Sequence, residues 1–100
     1  MGGNFLTDIG EWEAKIREVL RQHFKLFVPV EELAPDAELL YNGLNSVDFI
    51  NLVVEIEKEF SLRVDAADLK LDNFKSISEI LNFISYQKEK AGIHAVGGSD

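Results

Sequence analysis

Ser46 is the residue of this sequence whose hydroxyl is best placed to act as a nucleophile. It follows Gly43, Leu44 and Asn45 and stands at the start of a predicted helix. Serine is also among the residues preferred as a helix N-cap, where its oxygen accepts a hydrogen bond from a backbone N–H group. From this position alone, the cap is the simpler interpretation.

Most other chemistry is disfavoured by the residue types that the sequence lacks. The chain has no cysteine, which excludes disulfides, thiolate zinc sites and cysteine nucleophiles. A serine hydrolase is disfavoured because the G-x-S-x-G motif is absent and the imidazoles are limited to His23 and His94. Three aspartates lack the spacing and the glycine of an EF-hand calcium loop: Asp65, Asp68 and Asp72. We therefore predict neither a hydrolase nucleophile nor a metal site.

The composition predicts one soluble globular domain. The 100 residues are 46% hydrophobic and 28% charged, with two prolines, which is typical of a folded domain. The sequence contains no signal peptide and no run of roughly 18 apolar residues, so we expect a cytoplasmic protein without a membrane span. We expect residues 8–91 to form a helical bundle, as a monomer, between flexible segments at residues 1–7 and 92–100.

The negative charge is confined to the middle of the chain. The net charge is −8, and residues 31–72 contain eleven acidic residues against three basic ones, so this segment carries the whole excess. Such a segment disfavours nucleic acid as a partner, because phosphate binding requires clusters of lysine and arginine. It favours proteins with basic surfaces, although the need for solubility would also account for it.

Capping signals predict where the first and last helices begin. The first is predicted to begin at Asp8, with Glu11 completing a capping box, and the last at Ser76, with Glu79 in the same role. Gly92 is predicted to end the last helix. Apolar residues recur at helical spacing in both: Ile9, Trp12, Ile16, Val19, Leu20 and Phe24 in the first, and Ile77, Ile80, Leu81 and Ile84 in the last.

Two further helices follow a long first loop. The second helix is predicted from about Ser46 to Phe60, and a short third helix around Asp65 to Leu69. Residues 27–45 lack periodicity and form the loop, which we expect several apolar residues to anchor in the core: Val30, Leu33, Leu39, Leu40 and Leu44. Strand signals are weak, so the predicted fold is an all-α bundle of three longer helices and one short helix.

Two apolar stripes run along the second helix. One predicts the side that faces the core: Phe49, Leu52, Val53, Ile56 and Phe60. The other lies on a neighbouring face nearly in line with Ser46: Val47, Ile50 and Val54. Acidic residues flank this second stripe: Asp48, Glu55 and Glu57. An exposed apolar patch with an acidic rim suits transient docking, whereas a central helix would bury both stripes.

The run Gly43–Asp48 and the acidic helix that ends in Glu55–Phe60 together resemble the acyl carrier protein family of phosphopantetheine-binding carrier domains. The resemblance extends over about Ile9 to Tyr86, essentially the whole predicted fold. It implies that Ser46 receives 4′-phosphopantetheine from coenzyme A, through a phosphopantetheinyl transferase. The arm then holds acyl or aminoacyl intermediates as thioesters, as in fatty acid, polyketide or nonribosomal peptide biosynthesis. The resemblance also implies that the chain is not an enzyme and has no catalytic residue of its own.

The resemblance also implies a docking surface on the second helix. Its partners would be the transferase and the enzymes that load and elongate the cargo, through basic surfaces of their own. The residues that would contact them are Asn45, Val47, Asp48, Ile50, Val54, Glu55 and Glu57.

Two positions beside Ser46 depart from the usual motif of this family. Asn45 stands where aspartate is usual, and Val47 where leucine is usual. The first change removes a negative charge while keeping the shape of the side chain, so attraction to a transferase is expected to weaken. An alternative function is therefore an unmodified protein–protein interaction module with the same bundle.

Overall fold

The computed structural model describes residues 5–97, which contain three α-helices and no strand. The helices are α1 (Phe5–His23), α2 (Ser46–Phe60) and α3 (Ile77–Gly97). Four 3-10 segments lie in the two connections: Val30–Glu32, Leu39–Asn42, Ala66–Asp68 and Leu71–Phe74. The prediction of an all-α bundle with a long first loop is confirmed. Within the described range, none of the helices combines the length and apolar character that crossing a lipid bilayer requires.

The core forms where the three helices and the first loop meet. From α2 it takes the whole predicted stripe: Phe49, Leu52, Val53, Ile56 and Phe60. From α1 and α3 it takes Ile16, Val19, Leu20, Ile77, Ile80, Phe83 and Ile84, with Trp12, Phe24 and Leu81 packed partly buried against it. The amphipathic patterns of the sequence therefore place the three helices correctly relative to the core.

Arg17 on α1 fixes the first loop to the bundle. Its Nη1 donates hydrogen bonds to the backbone carbonyls of Val30, at 2.6 Å, and Leu33, at 2.9 Å. Its other guanidinium nitrogens bind the Glu13 carboxylate, the Nη2 at 2.8 Å. The loop carbonyls lie outside α-helix and β-sheet, so the Arg17 side chain supplies hydrogen bonds that regular secondary structure does not provide there. One turn further on, Arg21 binds the carboxylate of Glu31 and so holds its pKa below the usual value.

Most of the predicted loop anchors are buried. Val30, Leu33, Leu39 and Leu44 each expose less than a twentieth of their surface. The prediction for Leu40 is wrong, since 42% of its surface is exposed. Leu39 and Leu40 are adjacent in one 3-10 turn, where neighbouring side chains point in different directions, so the turn buries only the first.

The predicted capping box at the start of α1 is wrong. Phe5, the first described residue, is already helical, so Asp8 lies inside α1 and is not its cap. No glycine or proline stands between positions 5 and 8 to stop the helix there. Residues 1–4 and 98–100 lie outside the described residues, and the domain boundaries and flexible ends that the sequence predicts stay predictions.

Ser76 caps the start of α3 as predicted, but the end of α3 differs from the prediction. Among the described residues, the Glu79 carboxylate does not accept the second hydrogen bond that would complete the predicted capping box. Ser76 precedes the first helical residue, and its Oγ accepts a hydrogen bond from the backbone N–H of Glu79 at 3.1 Å. The prediction that Gly92 ends the helix is wrong, because the helix continues to Gly97. A glycine inside a helix costs about 1 kcal/mol relative to alanine, which lowers stability locally without ending the helix.

Candidate functional site

A tight turn brings the chain to the start of α2. Gly43 has a φ of +125°, a conformation that L side chains rarely adopt, and a Cβ there would lie 2.7 Å from the backbone oxygen of Lys25. The Phe27 N–H donates to the Asn42 carbonyl at 2.9 Å, which joins the two ends of the first loop. Leu44, buried just after the turn, anchors the chain before α2 begins.

Asn45 is the N-cap of α2. Its Oδ1 accepts a hydrogen bond from the backbone N–H of Asp48 at 2.8 Å, and the Asp48 Oδ2 accepts one from the Asn45 N–H at 3.0 Å. The interpretation of Ser46 as the cap is therefore wrong: Ser46 is the first residue of the helix. The reason is the position of Asp48, which can complete a capping box only with the residue three before it.

The hydroxyl of Ser46 is left accessible by this arrangement. Ser46 is exposed, and its Oγ takes part in none of the hydrogen bonds found among the described residues. It lies at the end of α2 where the first N–H groups have no helical carbonyl partner and the helix dipole is positive. A phosphate ester on this oxygen would meet favourable partial charge, so the residues present fit an attached phosphodiester.

The second apolar stripe of α2 is exposed to solvent. Val47, Ile50 and Val54 expose 65%, 64% and 42% of their surface, whereas Phe49 and Val53, on the neighbouring face, are buried. The alternative in which a central helix buries both stripes is therefore excluded. This surface, defined by Val47, Ile50 and Val54, is called the α2 apolar patch.

The acidic residues beside the patch also hold the fold together. Asp48 closes the capping box, and Glu57 accepts a hydrogen bond from the Val64 N–H at 2.7 Å, which stabilises the chain after α2. Glu55 lies 3.3 Å from the Nε2 of His23 on α1. Each carboxylate thus has an internal partner, and the docking contacts predicted for them stay predictions.

A groove opens beside Ser46, next to the α2 apolar patch, with which it shares Ile50. Its volume is about 170 Å³, and it lies between α2 and the segment that follows it. Its walls are mainly apolar: Phe49, Ile50 and Val53 from α2, and Leu69, Leu71 and Phe74 from the facing segment, with Lys70 between the two leucines. Leu69 and Leu71 are about half exposed, at 55% and 50%, so the groove is open along this rim.

The facing segment replaces the short third helix that the sequence predicts. It consists of two 3-10 turns, Ala66–Asp68 and Leu71–Phe74, and Lys70 between them is extended, with φ −122° and ψ 140°. The extended residue interrupts the helix and leaves Leu69 and Leu71 on the rim of the groove. Sequence reasoning missed the groove because 3-10 turns this short produce no recognisable period.

Comparison with known proteins gives consistent matches over most of the chain. Residues 14–84 match the family described as "Phosphopantetheine attachment site". An acyl carrier protein of Thermotoga maritima is 31% identical over 80 residues, which are 79% of this chain and 90% of the relative. An aminoacyl carrier protein of Agrobacterium fabrum is 34% identical over 67 residues, 67% of this chain and 81% of the relative.

A solved structure matches the fold as well. It is the crystal structure of an engineered Bradyrhizobium japonicum glycine:[carrier protein] ligase complexed with a carrier protein from Agrobacterium tumefaciens and ATP. The match has a TM-score of 0.71 and 31% identity, and it covers 75% of this chain and 97% of the other.

Proposed function

The chain belongs to the acyl carrier protein family, whose domains carry covalently attached 4′-phosphopantetheine, and we propose that Ser46 is the residue that bears this group. The observation that carries the proposal is the capping of α2 by Asn45 and Asp48. Because Asn45 takes the structural role, the hydroxyl of Ser46 is available for modification without loss of a cap.

The chain's own residues position the attachment point and supply no catalytic group in this proposal. The N-terminus of α2 stabilises the negative charge of a phosphate on the Ser46 oxygen. The turn at Gly43 and the buried Leu44 hold that residue at the edge of the bundle, where an attached chain extends into solvent. When bound, phosphopantetheine supplies a terminal thiol that holds acyl or aminoacyl cargo as a thioester.

The α2 apolar patch is the surface on which partner enzymes dock in this proposal. It begins one residue after Ser46, and it lies in the segment that carries the whole net negative charge of the chain. Both features suit an enzyme with an apolar depression and a basic rim, since complementary charge accelerates association. Such enzymes include a phosphopantetheinyl transferase and a loading enzyme, for which the ligase complex of the similar carrier is a precedent.

The attachment is tested by incubating the chain with coenzyme A and a broad-specificity phosphopantetheinyl transferase, followed by intact mass measurement. We expect the mass of one phosphopantetheine to be added to the wild type and to Ser61→Ala, which alters another exposed serine, and none to Ser46→Ala. Because Asn45 forms the cap, Ser46→Ala is expected to retain its thermal stability. A wild-type chain that gains no mass would instead support the unmodified interaction module, and a gain that persists in Ser46→Ala would place the group elsewhere.

Asn45→Asp is expected to accelerate the transfer of phosphopantetheine. The variant restores a negative charge beside Ser46, and a carboxylate can accept the same hydrogen bond from Asp48 N–H, so the helix cap is retained. The initial rate should rise severalfold at low ionic strength, and the ratio of the two rates should approach one in about 1 M salt, where the Debye length is about 3 Å. Equal initial rates at low salt would show that the missing charge does not limit transfer.

A further inference from the structure

Lys70 is the basic residue of the groove that opens beside Ser46. The groove wall is otherwise apolar apart from Ser46 itself, so Ser46 and Lys70 are the two polar residues that line a small, largely apolar depression. Lys70 is exposed and stands on the segment that faces the N-terminal half of α2. A lysine in such a position is unusual for this part of the chain, where residues 31–72 contain only three basic residues.

The charge of Lys70 is not neutralised within the part of the chain that the structure describes. Among these residues, Lys58 lies 3.8 Å from a carboxylate oxygen of Glu55, whereas Lys70 takes part in no ion pair. Lys70 also borders a polar cleft lined by two acidic residues, Asp68 and Glu79, but it forms an ion pair with neither, and the Asp68 Oδ2 accepts a hydrogen bond from Gln87 at 3.4 Å. The ammonium group of Lys70 therefore remains available to an anion on the groove side.

We propose that Lys70 pairs with the phosphodiester of a phosphopantetheine attached to Ser46 and thereby directs the start of the arm across the groove. This inference rests on the proposed function. A lysine ammonium is a mobile point charge that suits phosphate, and the N-terminus of α2 approaches the same phosphate from the other side. Lys70 is thus a positioning residue for the arm, and it takes no part in forming the phosphodiester.

Phosphorus-31 NMR of the modified chain tests this contact directly, because the phosphodiester is its single phosphorus atom. We expect Lys70→Gln to shift the resonance and Lys70→Arg to leave it near the wild-type position. Lys58→Gln is the matched control: it removes the same charge from the acidic segment, twelve residues and about 18 Å along α2 from Ser46. Its resonance should coincide with that of the wild type.

Salt provides a second readout of the same pair. In about 1 M NaCl the wild-type resonance should move to the position of Lys70→Gln, because exposed ion pairs are screened at this ionic strength. Coincident wild-type and Lys70→Gln resonances at low salt, or an equal shift in Lys58→Gln, would overturn the inference while the mass gain on Ser46 still stood. A wild-type chain that gains no mass with coenzyme A and the transferase would overturn the proposed function, and this inference with it.

Discussion

Replacing Ile50 with glutamate is expected to lower the kcat/KM of phosphopantetheine transfer to this chain by about 30-fold, the equivalent of about 2 kcal/mol for a central interface residue. Ile50 exposes 64% of its surface in the middle of the α2 apolar patch and is not one of the buried core residues, so the substitution leaves the core filled. A carboxylate buried against an apolar depression of the partner would lose its hydration without gaining a counter-charge. Initial rates with coenzyme A and a transferase measure the loss, and circular dichroism should show an unchanged melting temperature.

Ala14→Glu is the control for the added charge. Ala14 is exposed on α1, outside the α2 apolar patch, so this variant carries the same extra negative charge without altering that surface. Its kcat/KM should stay within about twofold of the wild type if Ile50 acts through direct contact, because long-range effects of one exposed charge are screened by salt. Equal losses in the two variants would mean that net charge, and not the patch, governs the encounter.

Gly43→Ala is expected to destabilise the chain by about 3 kcal/mol, a sum of backbone strain and steric overlap. The glycine has a φ of +125°, and a Cβ would lie 2.7 Å from the Lys25 oxygen and 2.9 Å from the Leu26 Cα, both of which are backbone atoms. Relief of the overlap requires the two ends of the first loop to separate, which displaces the chain just before Ser46. Urea unfolding measures the loss of stability, and the rate of phosphopantetheine transfer should fall as well.

Gly10→Ala provides the opposite result in the same chain. Gly10 lies inside α1, and apart from the adjacent backbone of that helix no atom lies within 4 Å of the position of a Cβ. Alanine there should therefore stabilise the chain by about 0.5–1 kcal/mol through helix propensity. A Gly43→Ala variant as stable as the wild type would contradict the strain and overlap inferred at Gly43. Similar changes in the free energy of unfolding of the two glycine variants would contradict them as well.

The apolar pattern of α2 predicted the side that faces the core, and it left open whether the second stripe is exposed or buried. The five residues of the first stripe are buried, and the three of the second are exposed. A strongly amphipathic helix leaves few ways of orienting itself on a small core, so its pattern determines which side faces solvent. The position of Ser46 at the start of this helix followed from the same pattern.

The sequence interpretation places the N-cap of α2 at Ser46, one residue after the true cap, although the sequence contains the spacing that identifies Asn45. Asn45 and Ser46 are both good N-caps, and the propensity of each residue alone does not choose between them. The choice depends on the residue three positions on, which is Asp48 for Asn45 and the buried Phe49 for Ser46. Only the first of these can complete a capping box, and this spacing would have identified the cap.

The groove beside Ser46 could not be predicted from local patterns. It depends on the extended conformation of Lys70 between two short turns, and on the packing of Phe74 against Phe83 of α3, with ring centroids 5.1 Å apart. Neither the extended residue nor this aromatic contact produces a helical period in the sequence. Tertiary packing therefore decides where Leu69, Lys70 and Leu71 lie relative to α2.

Peptide mapping of the chain after reaction with coenzyme A and a transferase tests most directly whether Ser46 bears the arm. We expect fragment ions to place a single phosphopantetheine on Ser46, within the peptide that contains Asn45 and Asp48. A phosphopantetheine on another serine, such as Ser61 or Ser85, would contradict the assignment of Ser46. The assignment would also be contradicted if this chain remained unmodified while a carrier protein of the same family was fully converted under the same conditions.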